Sequence, residues 1–143
     1  MSPARITATF RVEEVVGKSR GGRACVRLLE PVDYRVGSAE SDEQIMVPAG
    51  FETDFASIPW GLWNLFPPLG PWARPAIIHD FLYATRGDGI FGTRKWITRE
   101  VAYSRAEADA IFREAMEVVE VPAWRRAIMY RAVRIGGWVG WGA

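Results

Sequence analysis

Residues 104–116 read SRAEADAIFREAM, and this stretch is the strongest indication of the fold. Ser104 and Glu107 have capping-box spacing, in which each side chain bonds to the other residue's backbone N–H at a helix start. Apolar residues then recur at helical spacing, at Ala108, Ile111, Phe112, Ala115 and Val119. The pattern predicts an amphipathic helix that begins at Ser104.

Two further helices are predicted on either side of this one. The first runs from about Pro75, a favourable first-turn residue, through Tyr83 and ends before RGDGIFG. The third begins at Pro122 and ends at GGWVGWGA. Its apolar side is predicted to carry Trp124, Ile128 and Ile135. Between the first two helices, GIFGTRKWITREVAYS could form a hairpin.

The first part of the chain has the pattern of β-strands. ITATFRVEEVV, RACVRLLEPVDYRV and EQIMVPAGFET are rich in β-branched residues and are separated by GKSRGG and GSAESDE. The segment DFASIPWGLWNLFPPLGPWARP is predicted to be an ordered, packed loop with one short helical turn. We therefore expect an α+β fold, with N-terminal antiparallel strands followed by a three-helix C-terminal half.

Length and composition limit the classes of protein to consider. A chain of 143 residues fits one domain, 1–143, that is strand-rich over 1–55 and helix-rich over 72–143. Eighteen Lys and Arg against 17 Asp and Glu give a net charge of +1, so nucleic acid is not a predicted partner. The N-terminus lacks a signal-peptide pattern, and no apolar run is long enough for a transmembrane segment. Cys25 is the only cysteine, so an internal disulfide is not possible.

His79, the only histidine, lies in the apolar stretch AIIHDFLY. Zinc sites take four ligands from Cys, His and carboxylate, so one His and one Cys predict that no zinc is bound. A serine hydrolase site is also disfavoured, because Ser57 lacks the nucleophile-elbow motif. The remaining chemistry is a histidine that acts with carboxylates.

Helical spacing gives this hypothesis a geometry. His79 and Tyr83 are four residues apart and share a helix face, whereas Asp80 is turned about 100° away. Asp109 interrupts the apolar pattern of the second helix, and a buried carboxylate needs a partner. If the two helices pack antiparallel, Asp109 could fix the His79 tautomer and leave the other ring nitrogen to activate water.

The motifs HDFLY and ADAIF resemble those of secreted and parvoviral phospholipases A2. The resemblance implies that His79 is the general base, Asp80 a calcium ligand, Asp109 the carboxylate that orients the histidine, and Tyr83 a hydroxyl donor to it. In place of the glycine-rich calcium loop of those enzymes, this chain has NLFPPLGPWARP, with a single Gly70. Because calcium takes six to eight oxygens, any calcium binding should be weak and centred on Asp80.

A second resemblance covers more of the chain. VPAGFETDFASIP, HDFLY, SRAEADAIFREAM and MYRAVRIGGW, in this order, resemble an uncharacterised domain family of bacteriophages and prophages. This resemblance implies a phage protein, located in the virion or the host cytoplasm, with other virion proteins as partners. It also groups Asp54 with His79 as a third carboxylate of the same site.

Each candidate also has a structural interpretation. His79 could be a satisfied core residue, Asp54 could cap a turn, Asp80 could be a solvated helix residue, and Asp109 could pair only with an arginine. Tryptophans before His79 could fill a core or line a groove for a lipid or glycan; these are Trp60, Trp63 and Trp72. The arginines of the third helix could bind phosphate, form a solvated face or contact a partner; these are Arg125, Arg126, Arg131 and Arg134.

Two functional hypotheses remain. In the first, the protein is a hydrolase in which His79 activates water against an ester or amide of the host envelope or virion, with a lipid or cell-wall substrate. In the second, it is a non-enzymatic virion component of tail or baseplate, and the polar cluster is structural.

Overall fold

A computed structural model describes residues 4–20, 23–55 and 70–142. The strands of the first part are β1 (Val12–Arg20), β2 (Arg23–Leu28), β3 (Val32–Arg35), β4 (Gln44–Val47) and β5 (Glu52–Thr53). β2 lies between β1 and β5 in an antiparallel sheet, and β3 pairs antiparallel with β4. The predicted antiparallel strands are confirmed.

Helix α1 (Ala73–Ala84) is the first helix after the strands in the described part of the chain. It is buried on almost every side, which explains why its sequence lacks a one-sided apolar stripe. It packs against β3 and β4 on one side and against the later helices on another. After α1, Gly87 adopts a φ of 83° and donates its N–H to the Leu82 carbonyl.

The remaining elements are β6 (Ile90–Phe91), β7 (Arg94–Lys95), α2 (Arg105–Val118), α3 (Ala123–Gly136) and the short α4 (Trp138–Trp141). β6 and β7 pair antiparallel, as the hairpin prediction required. Both capping-box hydrogen bonds between Ser104 and Glu107 are present at the start of α2. The α+β order, strands first and helices second, is therefore confirmed.

The side of α3 predicted to carry Trp124, Ile128 and Ile135 is not the side that enters the core. Trp124 and Ile135 are exposed, whereas Met129 and Val133 enter the core on the opposite side of the helix. Helix α3 faces α2, whose apolar stripe selects the side that is buried. The predicted break at GGWVGWGA is a brief one, because α4 begins two residues after α3 ends.

One hydrophobic core contains side chains from the strands and from α1, α2 and α3. Trp72 and Cys25 are both buried, and Trp72 belongs to this core. Over the described ranges, no helix combines the length and the apolar composition needed to cross a membrane. The predicted packed loop after Thr53 lies mostly at 56–69, outside the described residues.

Candidate active site

The packing of α1 on α2 brings together the polar side chains of the two helices. His79 stacks on Phe112 with ring centroids 4.7 Å apart, and one turn later Tyr83 bonds to Asp109. The later residue of α1, Tyr83, thus contacts the earlier residue of α2, Asp109. This order shows that the two helices are antiparallel. His79 Nε2 lies 2.7 Å from Asp109 Oδ1, and the Tyr83 hydroxyl donates to the same oxygen at 2.5 Å.

The second oxygen of Asp109 faces two arginines. Arg134 Nη1 on α3 donates to Oδ2 at 2.8 Å, and Arg105 Nη1 lies 3.4 Å from it. Burial would raise the pKa of Asp109, but the bonds from His79, Tyr83 and Arg134 outweigh it and lower this pKa. Asp109 is therefore a fully buried carboxylate that stays ionised.

An ionised Asp109 determines which nitrogen of His79 carries the proton. A carboxylate without a proton only accepts hydrogen bonds, so Nε2 must be the protonated nitrogen that donates to Oδ1. In the neutral ring Nδ1 is then the nitrogen with the lone pair. Nδ1 lies on the side of Asp80, whose Oδ1 is 4.0 Å away.

The C-terminal segment encloses Tyr83. The Trp141 ring packs edge-on against the Tyr83 ring, with centroids 5.0 Å apart. Gly137 lies so close that a Cβ there would be 2.4 Å from the tyrosine hydroxyl oxygen. Burial and the bond to Asp109 raise the pKa of Tyr83, so its hydroxyl keeps its proton and acts as a donor.

Asp80 faces the strands and not α2. The Thr53 hydroxyl at the end of β5 donates to Asp80 Oδ2 at 2.5 Å, and the same oxygen of Thr53 accepts the Phe55 N–H at 3.0 Å. Phe55 has a φ of 56°, a left-handed conformation that is uncommon for a bulky residue. Asp54 is half-buried and directly follows Thr53, the residue that donates its hydroxyl hydrogen bond to Asp80.

A metal site is not evident in the part of the chain that is described. There, no group of three or more His, Cys, Asp or Glu side chains is placed to hold a metal ion. Calcium requires six to eight oxygens, and the resemblance provides Asp80 alone. The described donors therefore do not fit a calcium ion, and no step of the chemistry below depends on one.

Sequence reasoning did not assign Arg105, Arg134 or Thr53 to the site. Arg105 and Asp109 are at i, i+4 spacing on α2, a signal that could have been used. Arg134 was grouped with arginines expected to face solvent, phosphate or a partner, and the structure instead pairs it with Asp109. Thr53 and Asp80 are 27 residues apart, and no local pattern links them.

Some predicted residues lie elsewhere or cannot be placed. Trp72 is buried in the core and packs under the Arg125 guanidinium, so it does not line an open groove. Ser57, Trp60 and Trp63 lie outside the described residues.

Comparison with protein families gives a match over most of the chain. No curated protein and no solved structure is significantly similar to the chain. The model of a family described as "Protein of unknown function (DUF1353)" matches residues 26–133, a span that includes His79, Tyr83 and Asp109. Because this match covers most of the chain, the protein belongs to the DUF1353 family.

Proposed function

We propose that this chain is a bacteriophage protein with a hydrolase site, in which His79 activates water against an ester or amide of the host envelope or virion. The motif order that resembles a phage and prophage family supports the phage origin. The resemblance of HDFLY and ADAIF to phospholipase A2 motifs supports a lipid ester as the first substrate to test.

The 2.7 Å contact between His79 Nε2 and Asp109 Oδ1 carries the proposal. Asp109 holds the proton on Nε2, so that Nδ1 can accept a proton from water. When it does, the ring becomes an imidazolium, which the buried carboxylate stabilises through the same hydrogen bond. The hydroxide formed in this way attacks the carbonyl carbon. The bond between that carbon and the leaving oxygen or nitrogen then breaks, and the proton on Nδ1 passes to the leaving atom.

The other contacts of Asp109 support this role through position and charge. Tyr83 and Arg134 hold both carboxylate oxygens, so Asp109 cannot rotate away from the ring. Phe112 stacks on the His79 ring, with the planes inclined by 30°, and restricts the tilt of the ring. A base must be held in a productive geometry, and these contacts provide that constraint.

The burial of the cluster favours a second candidate, a non-enzymatic virion component. His79 is only 1% exposed and Asp109 is 0% exposed. A fully satisfied buried network can serve to fix the packing of helices without any reaction. In that case the ion pairs among α1, α2 and α3 are the whole role of these residues.

A hydrolysis screen on phospholipids and cell-wall fragments, combined with thermal melts, separates the two candidates. If His79 is the base, His79→Ala lowers turnover by about 10²- to 10⁴-fold. Ile77→Val is the matched control, because it is a buried change on the same helix that leaves the base and its contacts in place. We expect this variant to retain most of the turnover.

The opposite pattern would support the structural role. The parent protein would then hydrolyse no substrate in the screen, and His79→Ala would lower stability by about 1–3 kcal/mol through unsatisfied buried partners. Calcium can be tested in parallel. Asp80→Asn should abolish any weak calcium binding, and unchanged binding would exclude Asp80 as the ligand.

A further inference from the structure

Helix α3 has two apolar sides, and only one of them enters the core. At about 100° per residue, Trp124, Ile128 and Ile135 lie within about 40° of one another around the helix axis. Met129 and Val133, the buried residues of α3, lie about 140–180° from Trp124. Trp124 and Ile135 therefore point away from the core, whereas the half-buried Ile128 packs against it.

The exposed side continues into α4. Gly137 keeps helical backbone angles, φ −69° and ψ −20°, so Trp138 follows α3 at helical spacing. The exposed fractions are 54% for Trp124, 78% for Ile135 and 56% for Trp138. Fourteen residues at a rise of 1.5 Å make this ridge about 21 Å long. We call these residues, with the half-buried Ile128 and the exposed Arg131, the outer ridge.

The charged residues of α3 and of the chain that follows it have one sign. The segment 121–143 contains four arginines and no aspartate or glutamate. Arg131 lies within the outer ridge, and the Arg125 guanidinium lies 5.0 Å from the centre of the Trp124 ring. Arg134 is committed to Asp109, but Arg126 and Arg131 add positive charge to the helix that carries the ridge. A negatively charged surface complements this charge.

We propose that the outer ridge binds the surface of an anionic phospholipid membrane. Tryptophan at both ends suits the boundary between headgroups and acyl chains, and the aliphatic side chains between them can enter the acyl region. Arginines beside the ridge attract anionic headgroups. Among the ridge side chains only Arg131 and the two indole N–H groups form hydrogen bonds, and all of them only donate, whereas a protein interface carries about one hydrogen bond per 100–200 Å².

The test is sedimentation of the full chain with vesicles of phosphatidylglycerol and, separately, of phosphatidylcholine. We expect binding to phosphatidylglycerol and little binding to phosphatidylcholine. Ile135→Asp should lower the partition coefficient roughly tenfold or more, through lost apolar burial and added negative charge. Arg131→Gln should lower it about fivefold, the effect of one basic residue near an anionic surface.

Val101→Asp is the matched control for Ile135→Asp. Val101 is 68% exposed and lies outside α3 and α4, so the charge change is the same and the ridge is intact. Trp124→Ser is a second ridge variant, near the start of α3, and it should also lower vesicle binding. Val101→Asp should leave vesicle binding unchanged. Both ridge positions are exposed, so their melts should match that of the parent.

Three results would overturn the proposal. They are no sedimentation with phosphatidylglycerol, equal binding to both lipids, or an equal loss of binding in Val101→Asp. Self-association that Ile135→Asp abolishes would instead assign the ridge to a second copy of the chain. Vesicle binding does not require hydrolysis, so the outcome is independent of the role of His79.

Discussion

At the scale of single residues, Asp109 determines the chemistry available to the cluster. It receives hydrogen bonds from His79, Tyr83 and Arg134, which lie on α1 and α3. A buried carboxylate with fewer donors would be protonated, because burial disfavours its charge. Because Asp109 is ionised, the proton of His79 is on Nε2. The tautomer of His79, a residue of α1, therefore depends on Asp109 of α2 and on Arg134 of α3.

The lowered pKa of Asp109 predicts a specific acid sensitivity. A depressed pKa contributes stability above the ordinary value of 3.8, and this contribution is lost as the pH falls through the lower pKa of the folded state. Asp109→Asn should cost about 1–3 kcal/mol near neutral pH, through weakened bonds to His79 and Arg134. Below pH 3.8 the difference in free energy of unfolding between parent and variant should narrow. Urea titrations from neutral pH to below pH 3.8 measure this difference in the free energy of unfolding. A difference that does not change with pH would show that the charge of Asp109 does not contribute to stability.

The sequence could predict part of this cluster. His79 and Tyr83 share a helix face by spacing alone, and the structure places both against Asp109. It could not predict Arg134, because no periodicity specifies which side chain of α3 meets α2. Three of the four arginines of α3 make no contact with Asp109, so composition could not single out the fourth.

At the scale of elements, α2 and α3 differ in how clearly the sequence specifies them. α2 has local signals that agree, a capping box and one apolar stripe. Its Glu107 also pairs with Arg99, and that bond and the capping bond from Ser104 lower the pKa of Glu107 from 4.5 to about 2. α3 has two apolar sides, and only its contact with α2 decides which is buried. The local sequence therefore predicts where α3 begins and ends, but not which of its sides is buried.

Gly136, the last residue of α3, and Gly137, which follows it, give a matched pair of variants. A Cβ at Gly137 would lie 2.4 Å from the Tyr83 hydroxyl and 2.3 Å from the Val133 carbonyl, whereas one at Gly136 would meet nothing within 4 Å. Gly137→Ala should therefore destabilise the protein by about 1–3 kcal/mol. Gly136→Ala should leave stability unchanged or raise it by up to about 1 kcal/mol, because alanine favours the helix. Thermal melts measure both, and equal effects would show that Tyr83 does not depend on the close approach of Gly137.

At the scale of the whole molecule, contacts distant in sequence join the strands to the helices. Glu114 on α2 accepts hydrogen bonds from the Tyr34 hydroxyl at 2.8 Å and the Gly37 N–H at 2.7 Å, and it forms an ion pair with Arg5. Tyr34 is fully buried on β3, and burial is the main reason that its pKa is raised. Tyr34 and Glu114 are 80 residues apart, which is why no local pattern could reveal this connection.

Glu114 should therefore hold the N-terminal segment against β3. Arg5 and Thr7 bond to that strand through the Arg35 N–H and the Asp33 carbonyl. Glu114→Ala removes a charged acceptor and should cost roughly 1.5–3 kcal/mol. The control is Glu117→Ala, an exposed change on the same helix, which should stay within about 0.5 kcal/mol of the parent.

Hydrogen exchange gives this prediction a local readout. In Glu114→Ala the amides of Thr7 and Arg35 should exchange faster than in the parent, because the ion pair with Arg5 no longer restrains the segment that bonds to β3. Amides in the middle of α1 should change only by the global loss of stability. If Thr7 and Arg35 keep their protection while the melt falls, Glu114 stabilises α2 against β3 through Tyr34 alone, and the N-terminal segment is held by its backbone hydrogen bonds.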